Sequence, residues 1–205
     1  RLGDALGWYA VGDRIRELRE MIELETWRTG RGAERSDGSV LDRYREAIVA
    51  RHHLARPVRV VVDCGNGVGS LVAVSTLEAL GCDVRPLYCE SDGTFPNHHP
   101  DPTVPENLRD LQAEVRRTGA ELGIAFDGDA DRIGAVDEDG RILFGDQLLI
   151  IFGRDAVRRF GPGVPVIFDV KCSELLPQAL AAAGARPEMW KTGHSLIKER
   201  MKELA

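Results

Sequence analysis

Val58-Arg59-Val60-Val61-Val62-Asp63-Cys64-Gly65-Asn66-Gly67-Val68-Gly69 reads as a β-branched strand running into a glycine-rich turn. Pro57 bounds the run on one side and residues 70–80 follow it with a helical pattern. Residues 83–88 then read as a second strand, and Pro105, suited to a first helical turn, opens a helix over about 106–117. Residues 121–126 are a third strand, and 133–136 with 141–144 form a hairpin about Glu138-Asp139-Gly140. A helix over 146–159 carries Leu149, Phe152, Ala156 and Phe160 on its expected inner side. Strands alternating with helices at this spacing mean an α/β layer architecture: a mixed sheet flanked by helices.

Gly161-Pro162-Gly163 breaks the chain, and the pattern starts again. Residues 164–170 read as a strand, 174–183 as a helix, 186–190 as a short strand, and 195–205 as a helix-like stretch. The restart predicts a second, incomplete α/β unit. On the N-terminal side, 13–25 carry Ile15, Leu18 and Ile22 at helical spacing, with Asp13 placed to cap. A glycine-bearing polar loop over 29–39 separates that helix from another with Leu41, Tyr44 and Ile48 on one stripe.

Composition narrows the function classes. With 43% apolar and 29% charged residues the chain is of globular type. Its net charge of −6, with no basic block, argues against nucleic acid as a partner. The densest apolar run, 148–152, is far too short to span a bilayer, which argues against a membrane partner. Cys64, Cys82, Cys89 and Cys172 show no C-x-x-C spacing and read as reduced, buried thiols of a cytoplasmic protein.

Two motifs offer chemistry. The turn at 63–69 could hold a phosphate at a helix N-terminus, but the dinucleotide fingerprint needs Gly where Ser70 stands, and no Gly-Lys-Ser/Thr follows. A tight turn requiring positive φ is the expected reading. The sharper motif is Phe126-Asp127-Gly128-Asp129-Ala130-Asp131-Arg132. Carboxylates at alternate positions directly after an apolar strand would repel unless compensated, and hard oxygen donors in a loop suit Mg²⁺ or Ca²⁺. An EF-hand would need Gly where Arg132 stands and helices where strands are read. A haloacid-dehalogenase loop would need a following Thr and a later acidic pair. His98-His99 with Cys82 and Cys89 match no zinc spacing, and His194-Ser195, adjacent in the chain, make no hydrolase dyad.

At the acidic loop the sequence resembles the α-D-phosphohexomutase family, whose metal loop has the form D-G-D-x-D-R. Asp63-Cys64-Gly65-Asn66-Gly67, Phe95-Pro96-Asn97-His98-His99-Pro100-Asp101-Pro102, Asp169-Val170-Lys171-Cys172 and Trp190-Lys191-Thr192-Gly193-His194-Ser195 resemble further family segments, in family order. The resemblance implies a Mg²⁺ site at Asp127, Asp129 and Asp131, and a phosphate-pairing role for Arg132. It implies sugar-phosphate contacts for Lys171 and His194, and makes the His98-His99 segment a surface or interdomain loop. It further implies interconversion of hexose 1-phosphate and hexose 6-phosphate through a phosphoserine and a bisphosphorylated sugar, with mannose versus glucose left open. The family's T-A-S-H-N-P serine loop has no counterpart here. The expected division is therefore 1–35 as a remnant of the first family domain, 36–160 as the second, and 161–205 as the start of the third. The missing domains of a parent enzyme become its partners, and the chain alone is expected to be inactive. The rival reading is a non-catalytic divalent-metal-binding module, for which the acidic loop alone would suffice.

Overall fold

A computed structural model describes residues 13–27 and 29–204. Among these the chain divides into two compact units, one of residues 37–148 and one of 149–204 together with the described part of 1–36.

The first unit is built on the valine run. β1 (Arg59–Asp63) is buried from Val60 to Asp63, so its side chains on both faces are covered. That is why the run is continuous rather than alternating: an interior parallel strand has no solvent face. β1 pairs in parallel with β2 (Asp83–Leu87) on one side and β3 (Leu122–Phe126) on the other. β4 (Ile133–Asp137) and β5 (Ile142–Leu143) extend the sheet antiparallel, giving the order β2-β1-β3-β4-β5. The hairpin turns at Gly140, whose N–H donates to the Asp137 carbonyl at 2.9 Å.

The strand period sorts the core. Val61 packs with Leu108, Leu111, Val115, Ala125 and Val136, on the face covered by the helix α4 (Arg109–Thr118). Val60 and Val62 pack on the other face with Ala73 and Leu77 of the helix α3 (Ala73–Ala79). The chain leaves β1 for β2 by α3 and crosses back to β3 by α4. The strand order therefore reverses between β1 and β3, and their carboxyl ends flank the crevice where open α/β sheets gather ligands.

Some expectations need correction. The helix read over 70–80 is a four-residue 3₁₀ turn, Val68–Leu71, followed by α3. The one read from 106 is likewise a 3₁₀ turn, Pro105–Leu108, before α4. Of the two N-terminal helices, α1 (Asp13–Glu23) and α2 (Val40–Val49), neither buries a residue. Of the stripe read in α2, Leu41 and Tyr44 are exposed and Ile48 is half-buried. Asp13 is itself helical and pairs with Arg16 instead of standing before the helix as a cap.

In the second unit β6 (Pro165–Phe168) and β7 (Arg186–Met189) form a parallel pair linked by the helix α6 (Leu175–Ala182). The helix α5 (Gly145–Phe160) contributes Leu149, Ile150 and Val157 to the same core as Val166, Phe168, Leu176 and Leu180. This unit therefore begins within α5 and not at the break 161–163. The buried stripe of α5 also differs from the one read in the sequence: Leu149 faces inward as expected, but Phe152 and Phe160 are exposed. The helix α7 (His194–Leu204) closes the described chain. Arg200 ties it to β7, donating from Nε to Glu188 at 2.6 Å and stacking its guanidinium 4.6 Å from the Trp190 ring centroid.

Candidate metal centre

The acidic loop leaves the carboxyl end of β3 and doubles back at once into β4. Two backbone bonds set its shape: the Ala130 N–H donates to the Asp127 carbonyl at 3.0 Å, and the Asp127 N–H donates to the Arg132 carbonyl at 3.3 Å. Ala130 takes the left-handed conformation, φ 57°, that the reversal demands. The reversal turns the side chains of Asp127, Asp129 and Asp131 toward one volume, with a carboxylate oxygen of each within 4.8 Å of the others.

The three are not equivalent. Asp127 is buried and belongs to the loop's own framework, whereas Asp129 and Asp131 are exposed. The Arg132 N–H donates to one Asp127 oxygen at 2.9 Å and its Nε to the other at 2.7 Å. Burial pushes the Asp127 carboxyl up, but the backbone N–H and guanidinium of Arg132 outweigh it and hold the group below the usual carboxylate range. Asp127 is thus kept ionised, as a cation ligand must be. Arg132 also donates from Nη1 to Asp101 at 3.1 Å. Asp101 is itself oriented by the Thr103 hydroxyl at 2.7 Å and the Thr103 N–H at 3.0 Å.

The donor set fits a hard divalent cation. Octahedral Mg²⁺ with oxygens at about 2.0–2.1 Å keeps neighbouring ligands about 2.9 Å apart, so modest rotations of Asp129 and Asp131 would close the set.

The glycine turn proves to be the loop's support. Gly65 and Asn66 take positive φ, 49° and 58°, and the Gly67 N–H donates to the Cys64 carbonyl at 2.7 Å. The Val68 N–H then donates across to the Gly128 carbonyl at 3.1 Å. A Cβ on Gly67 would lie 2.8 Å from that same carbonyl oxygen. The glycine is needed because one backbone lies directly on another.

Beneath this turn lies a pair that sequence reasoning missed. Asp63, fully buried at the end of β1, accepts the Gly65 N–H at 2.8 Å and has His98 Nε2 at 3.0 Å. His98 Nδ1 lies 3.0 Å from the His99 carbonyl, so both ring nitrogens have a polar partner. Burial pushes the Asp63 carboxyl up, opposed by the Gly65 N–H and by His98. His99 stays exposed. The available signal was Asp63 itself: a carboxylate closing an apolar strand must find a partner.

Lys171 and His194 belong to the second unit, just beyond the carboxyl ends of the neighbouring strands β6 and β7. Lys171 is exposed, with Nζ 3.4 Å from Asp169. His194 is the exposed first residue of α7.

The fold and the acidic loop define an α/β protein with a candidate divalent-cation site at the switch point of its sheet. The sequence matches the alpha/beta/alpha domain II of phosphoglucomutase/phosphomannomutase over residues 42–140, and domain III over 144–205. It is 53% identical over 194 residues to the phosphomannomutase/phosphoglucomutase of Pseudomonas aeruginosa, covering 94% of this chain and 41% of that protein. With a phosphoglucomutase of Neisseria gonorrhoeae it shares 44% identity, covering 98% of this chain and 43% of the relative. Its fold superposes on the crystal structure of a phosphoglucomutase/phosphomannomutase family protein from Burkholderia thailandensis with a TM-score of 0.90 and 45% identity, over 96% of this chain and 43% of that one. The chain belongs to the phosphoglucomutase/phosphomannomutase family. It spans less than half the length of each of these relatives.

Proposed function

We propose that this chain is the metal-binding and sugar-phosphate-binding part of a mutase that interconverts hexose 1-phosphate and hexose 6-phosphate, of mannose, glucose or both. The observation that carries this reading is the convergence of the Asp127, Asp129 and Asp131 carboxylates within 4.8 Å. They lie at the carboxyl end of β3, beside β1. The reaction proceeds through a phosphoserine and a bisphosphorylated sugar, and the serine must come from residues other than these 205. No helix among the described residues is long and apolar enough to cross a membrane.

In this reading Asp127, Asp129 and Asp131 hold Mg²⁺, which when bound offsets charge on the phosphoryl group in transfer. Arg132 keeps Asp127 ionised and aimed, and the part of its guanidinium not turned to Asp127 and Asp101 would meet a phosphate oxygen. Lys171 and His194 bind the sugar phosphate, each placed where a strand end leaves the backbone free to present a side chain.

The test is an assay of the full-length protein with glucose 1-phosphate or mannose 1-phosphate, Mg²⁺ and a catalytic amount of the sugar bisphosphate. Formation of the 6-phosphate, abolished by a chelator, is the expected result. Stoichiometric Mg²⁺ binding without turnover of either sugar would favour the non-catalytic metal module. The 205 residues alone should give no turnover, because no phosphoryl donor survives between the half-reactions.

In the same assay Lys171→Ala should raise KM or lower kcat for both hexose phosphates, by about tenfold for one charge-assisted contact. Because Lys171 is exposed, stability should be unchanged. Wild-type kinetics would remove it from the site.

A further inference from the structure

The glycine turn carries a second chemical feature, on the side away from the acidic loop. Cys64 follows β1 directly, and Cys89 lies just past the end of β2. The two strands are parallel neighbours with Asp63 opposite Leu87, so the pairing brings the cysteines together although the sequence separates them. Their Sγ atoms lie 3.3 Å apart. The Cys89 Sγ also faces the Leu87 carbonyl at 3.1 Å and the Val62 carbonyl at 3.4 Å.

The backbone on both sides is already tied. The Cys64 N–H donates to the Leu87 carbonyl at 3.2 Å and the Asn66 N–H to the Tyr88 carbonyl at 2.8 Å. The Asn66 side chain donates to the Glu90 carbonyl, also at 2.8 Å. A disulfide needs about 2.05 Å between the sulfurs, so closing the pair takes roughly an ångström of side-chain rotation rather than a rearranged loop.

Access is one-sided. Cys64 is fully buried, whereas Cys89 is half-buried and lines a surface groove of about 560 Å³ with Asn66, Ser70, Tyr88 and Asn97. A small reagent in that groove meets Cys89 first. Cys82, ahead of β2, lies at the opposite end of that strand, and Cys172 belongs to the second unit.

We propose that Cys64 and Cys89 form a reversible dithiol–disulfide site that exchanges with small-molecule disulfides entering the groove, Cys89 being the attacking sulfur and Cys64 the resolving one. In the first step the Cys89 thiolate attacks one sulfur of the small disulfide. A Cys89–sulfur bond forms, the reagent's own S–S bond breaks, and one small thiolate leaves to be protonated by solvent. In the second step Cys64 gives up its proton and its sulfur attacks Cys89. The Sγ–Sγ bond forms, the mixed disulfide breaks, and a second small thiol is released. The protein loses two protons and two electrons, and the reagent gains them as two thiols. The polarity of the pair agrees with this order: the neighbouring Cys64 sulfur lowers the Cys89 thiol against the effect of burial, and the same contact, with burial, raises Cys64.

The experiment incubates the full-length protein with oxidised glutathione, then denatures and alkylates it and maps the peptides by mass spectrometry. The expected product joins the peptides bearing Cys64 and Cys89 and is cleaved by dithiothreitol, while Cys82 and Cys172 are recovered alkylated. Cys64→Ala should accumulate the glutathione adduct on Cys89, since the resolving sulfur is gone. Cys89→Ser, at the half-buried position, should leave Cys64 unmodified, which keeps the test decisive if alanine in the core disturbs folding. Recovery of Cys64 and Cys89 as alkylated thiols while another cysteine carries glutathione would overturn the proposal. So would a stable adduct on Cys89 of the unaltered protein with no crosslink.

Discussion

Asp129→Asn in the full-length enzyme should cut turnover about a hundredfold or more, equivalent to about 2.7 kcal/mol of transition-state stabilisation. The fold should not notice. Asp129 is exposed at the tip of the loop, whereas Asp127 is buried and takes both the backbone and the guanidinium of Arg132. Asn keeps the volume and one oxygen but removes a full negative charge from the proposed cation site. Circular dichroism and the melting temperature should match the unaltered protein, while calorimetric titration with Mg²⁺ shows weakened binding. Unchanged turnover with unchanged Mg²⁺ affinity would sink the assignment of this residue. Asp127→Asn should instead lose activity and stability together, because it also breaks the pair with Arg132.

Gly67→Ala should have the second large effect, though residue 67 bears no side chain and binds nothing. The added methyl would lie 2.8 Å from the Gly128 carbonyl oxygen and 3.0 Å from the Gly128 Cα, and neither backbone atom can turn aside as a side chain could. Overpacking of this kind costs about 1–3 kcal/mol. Part of that cost should appear as a displaced acidic loop, with Mg²⁺ affinity down about tenfold, a loss of about 1.4 kcal/mol. Gly93→Ala is the control, since a methyl there meets nothing within 4 Å. Urea denaturation and Mg²⁺ titration of the two variants separate the cases. A Gly67→Ala protein with unaltered stability and metal binding would mean that the turn does not support the loop.

The parts legible in the sequence were those set by neighbours in the chain. The valines of 58–62, the glycines after them and the β-branched and apolar stretches downstream announced strands and turns close to where β1, β3, β4, β6 and β7 lie. The alternating carboxylates of 127–131 announced a common site, because a loop that must reverse within a few residues has few ways to place them. Helix starts were less legible. Ser70 and Glu106 sit in 3₁₀ turns, and the hydrophobic period that marks a helix does not distinguish its first turn from that tighter form.

By itself, then, the sequence determined the α/β class, the repeated unit, the family and the acidic loop, since each is written in local pattern or contiguous motif. Only the tertiary structure decided which groups meet across the sheet. The order β2-β1-β3 brings His98 to Asp63, Gly128 onto Gly67 and Cys89 to Cys64, pairs separated by tens of residues. It also decided that Arg132 is shared between Asp127 and Asp101. In α5, the stripe that turns inward is the one that meets Leu180 and Val166, leaving Phe152 and Phe160 outside. The physical reason is the same in each case. Local pattern sets an element's type and its apolar residues, but strand order and the packing of distant elements set which of them are covered and which polar groups are left facing one another.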